Sequence, residues 1–159
     1  MSLPSFRIAL GADHGAVDLK NAVAAHLAAA GHHLQDFGTH GHEAVDYADY
    51  ANLVARAVAD GTSDFGILAC TTAAGMCIAA NRHRDVRAAA ARSPEEAVTI
   101  RQHNDANILC LAGKFSDEPT AIAMADAFLA TAFVGGRHVQ RVCKASGSRI
   151  AEVDAPIAA

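Results

Sequence analysis

The feature that most constrains this chain is a repeated alternation. A short, nearly continuous apolar run is followed by a longer alanine-rich stretch with helical spacing, again and again along the sequence. "FRIALGADH" (6–14) reads as a strand, and "AVDLKNAVAAHLAAAG" follows it, with Val23 and Leu27 four apart and Gly31 at the helix stop. "HHLQDFGT" (32–39) is a weaker second strand. "DYADYANLVARAVADG" (46–61) is helical, with Leu53, Ala57 and Val58 expected on one face and Gly61 closing it. "DFGILAC" (64–70) is a third strand, and a helix runs through "GMCIAAN". "DVRAAAA" (85–91) is a fourth strand, and the next helix opens with Ser93 as N-cap, Pro94 at its first position and Glu96 completing a capping box. "ANILCLAG" (106–113) is a fifth strand, with two more helical stretches near 118–131 and 137–145.

Strands that are apolar throughout, rather than every second residue, must be covered on both faces. Strands separated by helices connect in parallel with right-handed crossovers. The expected fold is therefore α/β, a Rossmann-like doubly wound sandwich of about five parallel strands with helices on both faces. At 159 residues the chain suits a single domain over 1–159. No internal repeat or linker interrupts it, and only "EVDAPIAA" at the end reads as a loose, arm-like tail.

Composition narrows the function classes. The net charge is −4, so no basic footprint advertises nucleic acid or an anionic membrane. Only 5% of residues are aromatic and there is no Trp, which argues against base-stacking platforms. No apolar run reaches the roughly 18 residues of a membrane span, and "MSLPSFRIAL" lacks the layout of a secretory signal. The cysteines at 70, 77, 110 and 143 form no CxxC pair, so reduced thiols in a cytoplasmic protein are expected. His32, His33, His40 and His42 come without a carboxylate or Cys set at usual ligand spacing, so no metal site is expected.

Parallel sheets bind ligands beyond the carboxyl ends of their strands. The first strand ends at Asp13 and His14, the third at Cys70, Thr71 and Thr72, and the fifth at Gly113 and Lys114. The helix after the fourth ends in "QHND", and His103 would have to loop back to reach the same edge. Each residue alone has a bland reading. A Cys closing a buried strand is often filler, Asp13-His14 suits a turn and cap, and a His at a helix C-terminus meets the dipole. The glycine turn and charges of "GGRHVQR" fit a solvated helix. Together they suit one chemistry. A thiol expected to face solvent before a loop and helix N-terminus can ionise, with loop N–H groups for a developing oxyanion. A histidine, an aspartate and an asparagine serve proton transfer and hydroxyl recognition. Arg137 and Arg141, four apart, share a helix face that can grip phosphate.

"GADHGAVDLK", "VDYADYA", "ACTTAAGMCIAANRHRDVRAA", "RQHNDANIL" and "GGRHVQRV" follow one another in an order and spacing that resembles the type B ribose-5-phosphate isomerases and their allose- and galactose-6-phosphate relatives. The resemblance runs from the first strand to about Val142. It implies a cofactor-independent aldose–ketose isomerase, a homodimer or possibly a tetramer, whose sites draw on both chains and whose segment from about 137 contributes to the dimer. It implies that Cys70 removes the proton next to the carbonyl to give a cis-enediolate. The loop of Thr71, Thr72, Ala73, Ala74 and Gly75 would hold that enediolate, with Thr72 as its hydroxyl residue. His103 would help open the furanose ring, and Asp13 and Asn104 would contact hydroxyl and oxyanion groups. His14, Arg137 and Arg141 would bind phosphate, the arginines coming from the neighbouring chain.

The departures from the family pattern are specific. Its loop usually reads Cys-Gly-Thr-Gly-x-Gly, so Thr71 and Ala73 replace glycines and would add strain or bulk wherever those positions need positive φ or close approach. Lys114 stands where many members carry a phosphate-binding Arg, and Ala48 replaces a proline. The expected substrate is ribose 5-phosphate, interconverted with ribulose 5-phosphate. A hexose 6-phosphate or a tetrose phosphate is the alternative within the same chemistry, and a catalytically impaired sugar-phosphate-binding subunit the alternative outside it. A nucleotide-binding module is disfavoured because "GADHGA" lacks the GxGxxG spacing.

Overall fold

The computed structural model describes residues 4–146. Eleven elements alternate along it: β1 (Arg7–Ala12), α1 (Val17–Ala29), β2 (His33–Asp36), α2 (Tyr47–Ala59), β3 (Phe65–Cys70), α3 (Ala74–Ala80), β4 (Ala88–Ala90), α4 (Pro94–Asn104), β5 (Ile108–Ala112), α5 (Glu118–Ala130) and α6 (Arg137–Ser146). The strands form one five-stranded sheet in the order β2-β1-β3-β5-β4. Every pairing is parallel, with Ile8 opposite Phe65, Gly66 opposite Ile108 and Cys70 opposite Ala112. The tail "EVDAPIAA" lies outside the described residues.

The sheet is covered on both faces because its strands are apolar on both. Ile8, Leu10, Ile67, Leu109 and Leu111 pack with Val23 and Leu27 of α1 and Met124 and Phe128 of α5. Ala9, Leu68, Ile108 and Cys110 point the other way, against Val54 and Val58 of α2 and Met76 of α3. Each large aliphatic chain buried this way contributes about 1.5–3 kcal/mol. On α2 the structure keeps Ala57 and Val58 of the expected face inward but not Leu53. Ala51, Val54, Ala55, Ala57 and Val58 are buried, whereas Leu53 is 38% exposed. Val54 takes the inward position because it meets Gly11 and Gly66, where the strands carry no side chain to displace it.

Helix ends follow their sequence signals. Ser93 Oγ accepts from Glu96 N at 3.2 Å, while the Glu96 carboxylate reaches one residue beyond the usual box, to Arg92 N at 2.7 Å. Gly31 and Gly61 follow the ends of α1 and α2 with positive φ. The winding reverses between β1 and β3: α1 carries the chain outward to β2, and α3 carries it the other way to β4. Such a reversal opens a crevice at the carboxyl edge, where doubly wound sheets bind ligands.

Candidate active site

The loops after β1, β3 and β5 meet at that crevice. Asp13 N donates to Ala69 O at 3.2 Å, Gly113 N to Cys70 O at 2.9 Å and Lys114 N to Thr71 O at 3.0 Å. Gly15 lets the first two loops close, because a Cβ there would lie 2.5 Å from Thr71 Oγ1. Asp13 is 8% exposed, and its Oδ1 accepts from Gly15 N at 3.0 Å. His14 is exposed, and its Nδ1 accepts from Val45 N at 3.2 Å. That bond puts the neutral ring's proton on Nε2, which is then free to donate outward. The loop 36–39 lies alongside, tied by Thr39 N to Ala12 O at 2.7 Å. Its base is held by the fully buried Lys20, whose Nζ meets both Asp36 oxygens at 2.7–2.8 Å.

Cys70 ends β3 at this edge but does not face open solvent as expected. It is 4% exposed and packs in the cluster of Ala73, Met76 and Cys110. Its sulfur therefore meets only a group that enters the crevice beside it. Thr71 and Thr72 are exposed on the loop that follows, and Ala74 and Gly75 begin α3, with the Tyr47 ring packed against Gly75. Ala73 has φ 66°, so one of the two replaced glycines does occupy the left-handed region; Thr71 does not. Lys114 is exposed beside Thr71, with Nζ 5.9 Å from the Phe115 ring centroid.

The other expected residues form a second group. His103 and Asn104 are the last residues of α4 and both are exposed. The turn behind them is fixed by Arg101, which is 7% exposed and donates to Asp105 Oδ1 at 2.8 Å and Ala106 O at 2.6 Å. Its guanidinium also lies over the Phe65 and Phe128 rings, and Asp105 receives a second arginine, Arg87, at 2.9 Å. So within "RQHND" the first and last residues brace the turn, and His103 and Asn104 are left to point outward. Val134 N donates to Gln102 O at 3.2 Å, tying the connection to α6 onto α4. Gly135 and Gly136 then turn the chain with φ of 64° and 56°, and α6 starts at Arg137. His103, Asn104 and Arg141 line one cleft of about 610 Å³ together with His83, Asp85 and His138.

The two groups stand at opposite edges of the sheet. Cys70 is level with Ala112, the carboxyl end of β5, whereas His103 precedes Ile108, its amino end. The run from Ile108 to Ala112 spans roughly 13 Å at about 3.3 Å per residue. His103 does not loop back as expected, because the Arg101–Asp105 brace ends α4 on the spot and Asp105 turns the chain straight into β5. Asp13, His14, Cys70, the 71–75 loop and Lys114 share the carboxyl edge; His103, Asn104 and Arg141 share the cleft at the other, with Arg137 beginning the helix that walls it.

Several residues escaped the sequence reading. Arg101, Asp105 and Lys20 are charges spent on bracing, and only their spacing to partners in three dimensions marks them. His138 stacks on His103 with ring centroids 4.4 Å apart and planes 6° apart. Burial, then the electrostatic influence of His103, Arg137 and Arg141, holds the His138 imidazole below its ordinary range. Cys77 and Cys110, both free thiols, are neighbours. Its hydrogen bond with Cys77, and burial, hold the Cys110 thiol well above the usual thiol range. His32 stacks on Phe6, and His42 meets Asp18 at 3.0 Å. Among the described residues no cluster of three or more His, Cys, Asp or Glu could hold a metal, and no helix is long and apolar enough to cross a membrane.

Comparison with known proteins gives the same pattern a family. The profile of the family described as Ribose/Galactose Isomerase matches residues 8–145, from β1 into α6. Ribose-5-phosphate isomerase B of Escherichia coli is 43% identical over 136 residues, covering 86% of this chain and 91% of that one. A crystal structure of a ribose 5-phosphate isomerase from Thermotoga maritima superposes with a TM-score of 0.88 at 44% identity, covering 89% of this chain and 98% of its own. The ribose-5-phosphate isomerase B of Mycoplasma genitalium, solved with bound ribulose-5-phosphate, superposes with a TM-score of 0.84 at 38% identity, over 87% of this chain and 92% of that one. Because the match spans both edges of the sheet, the loops that carry Cys70 as well as the turn that carries His103, this chain belongs to the ribose/galactose isomerase family.

Proposed function

We propose that the protein is an aldose–ketose isomerase that interconverts ribose 5-phosphate and ribulose 5-phosphate, in a site completed by two copies of the chain. The observation that carries this reading is the division of the candidate residues between the two edges of one sheet. One edge holds a thiol, a carboxylate and a rim of loop N–H groups; the other holds an outward-facing imidazole, an amide and an arginine-bearing helix. Each half lacks what the other has, and two-fold pairing brings an edge of one copy to the other edge of its mate.

The chemistry then runs as follows. Arg137 and Arg141 from one copy, with His14 and Lys114 from the other, bind the phosphate. His103 moves a proton from the anomeric hydroxyl toward the ring oxygen, so the furanose opens to the aldehyde. Cys70, as thiolate, takes the hydrogen from C2, and the electron pair moves into a C1–C2 double bond. The resulting enediolate is held by N–H groups of the 71–75 loop. The same sulfur returns the proton to C1, while the proton on O2 passes to O1 with Thr72 beside it, leaving a carbonyl at C2. Asp13 and Asn104 hold the remaining hydroxyl and oxyanion groups. No oxidant or cofactor enters this balance. Reduced cysteines and this substrate class fit a cytoplasmic enzyme.

The test is turnover of ribose 5-phosphate by the wild-type chain and by Cys70→Ala, alongside allose 6-phosphate, galactose 6-phosphate and a tetrose phosphate at equal concentration. The proposal expects ribose 5-phosphate to be preferred and Cys70→Ala to abolish turnover while the variant still binds a phosphorylated sugar. Full activity in the variant rejects the thiol's role, and preference for another sugar rejects the substrate.

A further inference from the structure

We infer that His138 is a positioning residue for His103, fixing the plane of that imidazole for the ring-opening step; this rests on the isomerase reading above. His103 is exposed on the last turn of α4, and among the described residues its side chain makes no hydrogen bond. An exposed imidazole at a helix end samples several rotamers, and a proton-transfer group works only when aimed at its proton. The contact that sets its orientation is the His138 ring, parallel to within 6° at 4.4 Å between centroids. That ring is itself fixed, being 8% exposed at the start of α6.

The local sequence explains the placement. The bond from Val134 N to Gln102 O anchors the connection to α4, and the left-handed Gly135-Gly136 pair reverses it. His138 N then donates to Gly135 O at 3.1 Å, which locks the first turn of α6 against His103. An uncharged ring is the right partner for this stack. A further cation beside Arg137 and Arg141 would repel the groups around it, and the surroundings disfavour one.

The step served by His103 can be isolated chemically. Ribose 5-phosphate closes a furanose through its 4-hydroxyl and must be opened. Ribulose 5-phosphate has its 5-oxygen esterified, so it forms no furanose and reaches the enediolate without ring opening. The experiment compares wild type, His138→Ala and His138→Phe in two assays. One is kcat and KM for ribose 5-phosphate; the other is exchange of the C1 hydrogen of ribulose 5-phosphate with deuterated water, followed by NMR. The expected result is that His138→Ala lowers kcat for the aldose by about tenfold or more, with KM little changed and ketose exchange within about twofold of wild type. His138→Phe, which keeps a flat ring in the stack, recovers most of the aldose rate. A parallel loss in both assays, or no loss in either, overturns the inference while leaving the isomerase reading intact. A wild-type chain that turns over neither sugar overturns both.

Discussion

Cys70 and His103 stand at opposite edges of one sheet, the first level with Ala112 and the second before Ile108. Both are placed by the strands and turns around them rather than by loops free to swing. No rotamer change brings them together across roughly 13 Å of strand. The reaction proposed above needs a ring-opening group and a carbon base on the same sugar, and this separation is the reason we propose a site completed by two chains.

The brace behind His103 is testable through stability. Arg101 is buried, satisfies Asp105 and Ala106 O, and covers Phe65 and Phe128. Arg101→Met keeps the apolar stem and removes the guanidinium, leaving a buried carbonyl and half of an ion pair unsatisfied. The expected cost is about 2–4 kcal/mol, read by denaturant unfolding, with Asp105→Ala milder because Asp105 is more exposed. An unchanged midpoint in Arg101→Met would show that the brace carries no energy.

Ala73 marks a strained point in the loop that follows β3. Its φ of 66° costs an L-residue about 1–2 kcal/mol relative to a right-handed conformation. Ala73→Gly relieves that strain and loses some of it again to unfolded-chain entropy. The expected net gain is up to about 1 kcal/mol, an upward shift of roughly 2–4 °C in Tm for a chain of this size. A lower Tm would place Ala73 in an ordinary conformation in solution.

Acidification should loosen α6 through His138. Burial first, then His103, Arg137 and Arg141, lower its folded pKa, and His83, Asp85 and Arg87 line the same cleft. The folded state binds the proton less readily than the unfolded chain, whose imidazole titrates near about 6.5. The contribution is therefore present above that pH and is lost as pH falls through the lower folded value. Between pH 7 and pH 5.5, wild-type Tm should fall further than that of His138→Phe; equal slopes would assign the acid sensitivity elsewhere.

Much of this was legible in the sequence. Strands apolar on both faces required a doubly covered parallel sheet, and the ends of "FRIALGADH" and "DFGILAC" pointed to the edge where Asp13 and Cys70 lie. The capping signals of "SPEE" gave the start of α4. What stayed hidden depended on contacts across the fold. Leu53 and Val54 are equally apolar, and only the glycines at 11 and 66 decide which one turns inward. "RQHND" shows a polar helix end but not that Arg101 and Asp105 point in while His103 and Asn104 point out. Cys70 at a strand end does not reveal that Ala73 and Cys110 cover it.

The most direct measurement is subunit complementation. Cys70→Ala and His103→Ala, each inactive alone, are mixed, unfolded, refolded together and assayed with ribose 5-phosphate. If sites are shared, each mixed dimer holds one intact and one doubly damaged site. With random pairing the mixture should then regain about a quarter of wild-type specific activity. A mixture no more active than its two parents would mean that Cys70 and His103 must come from the same chain, and would contradict the account.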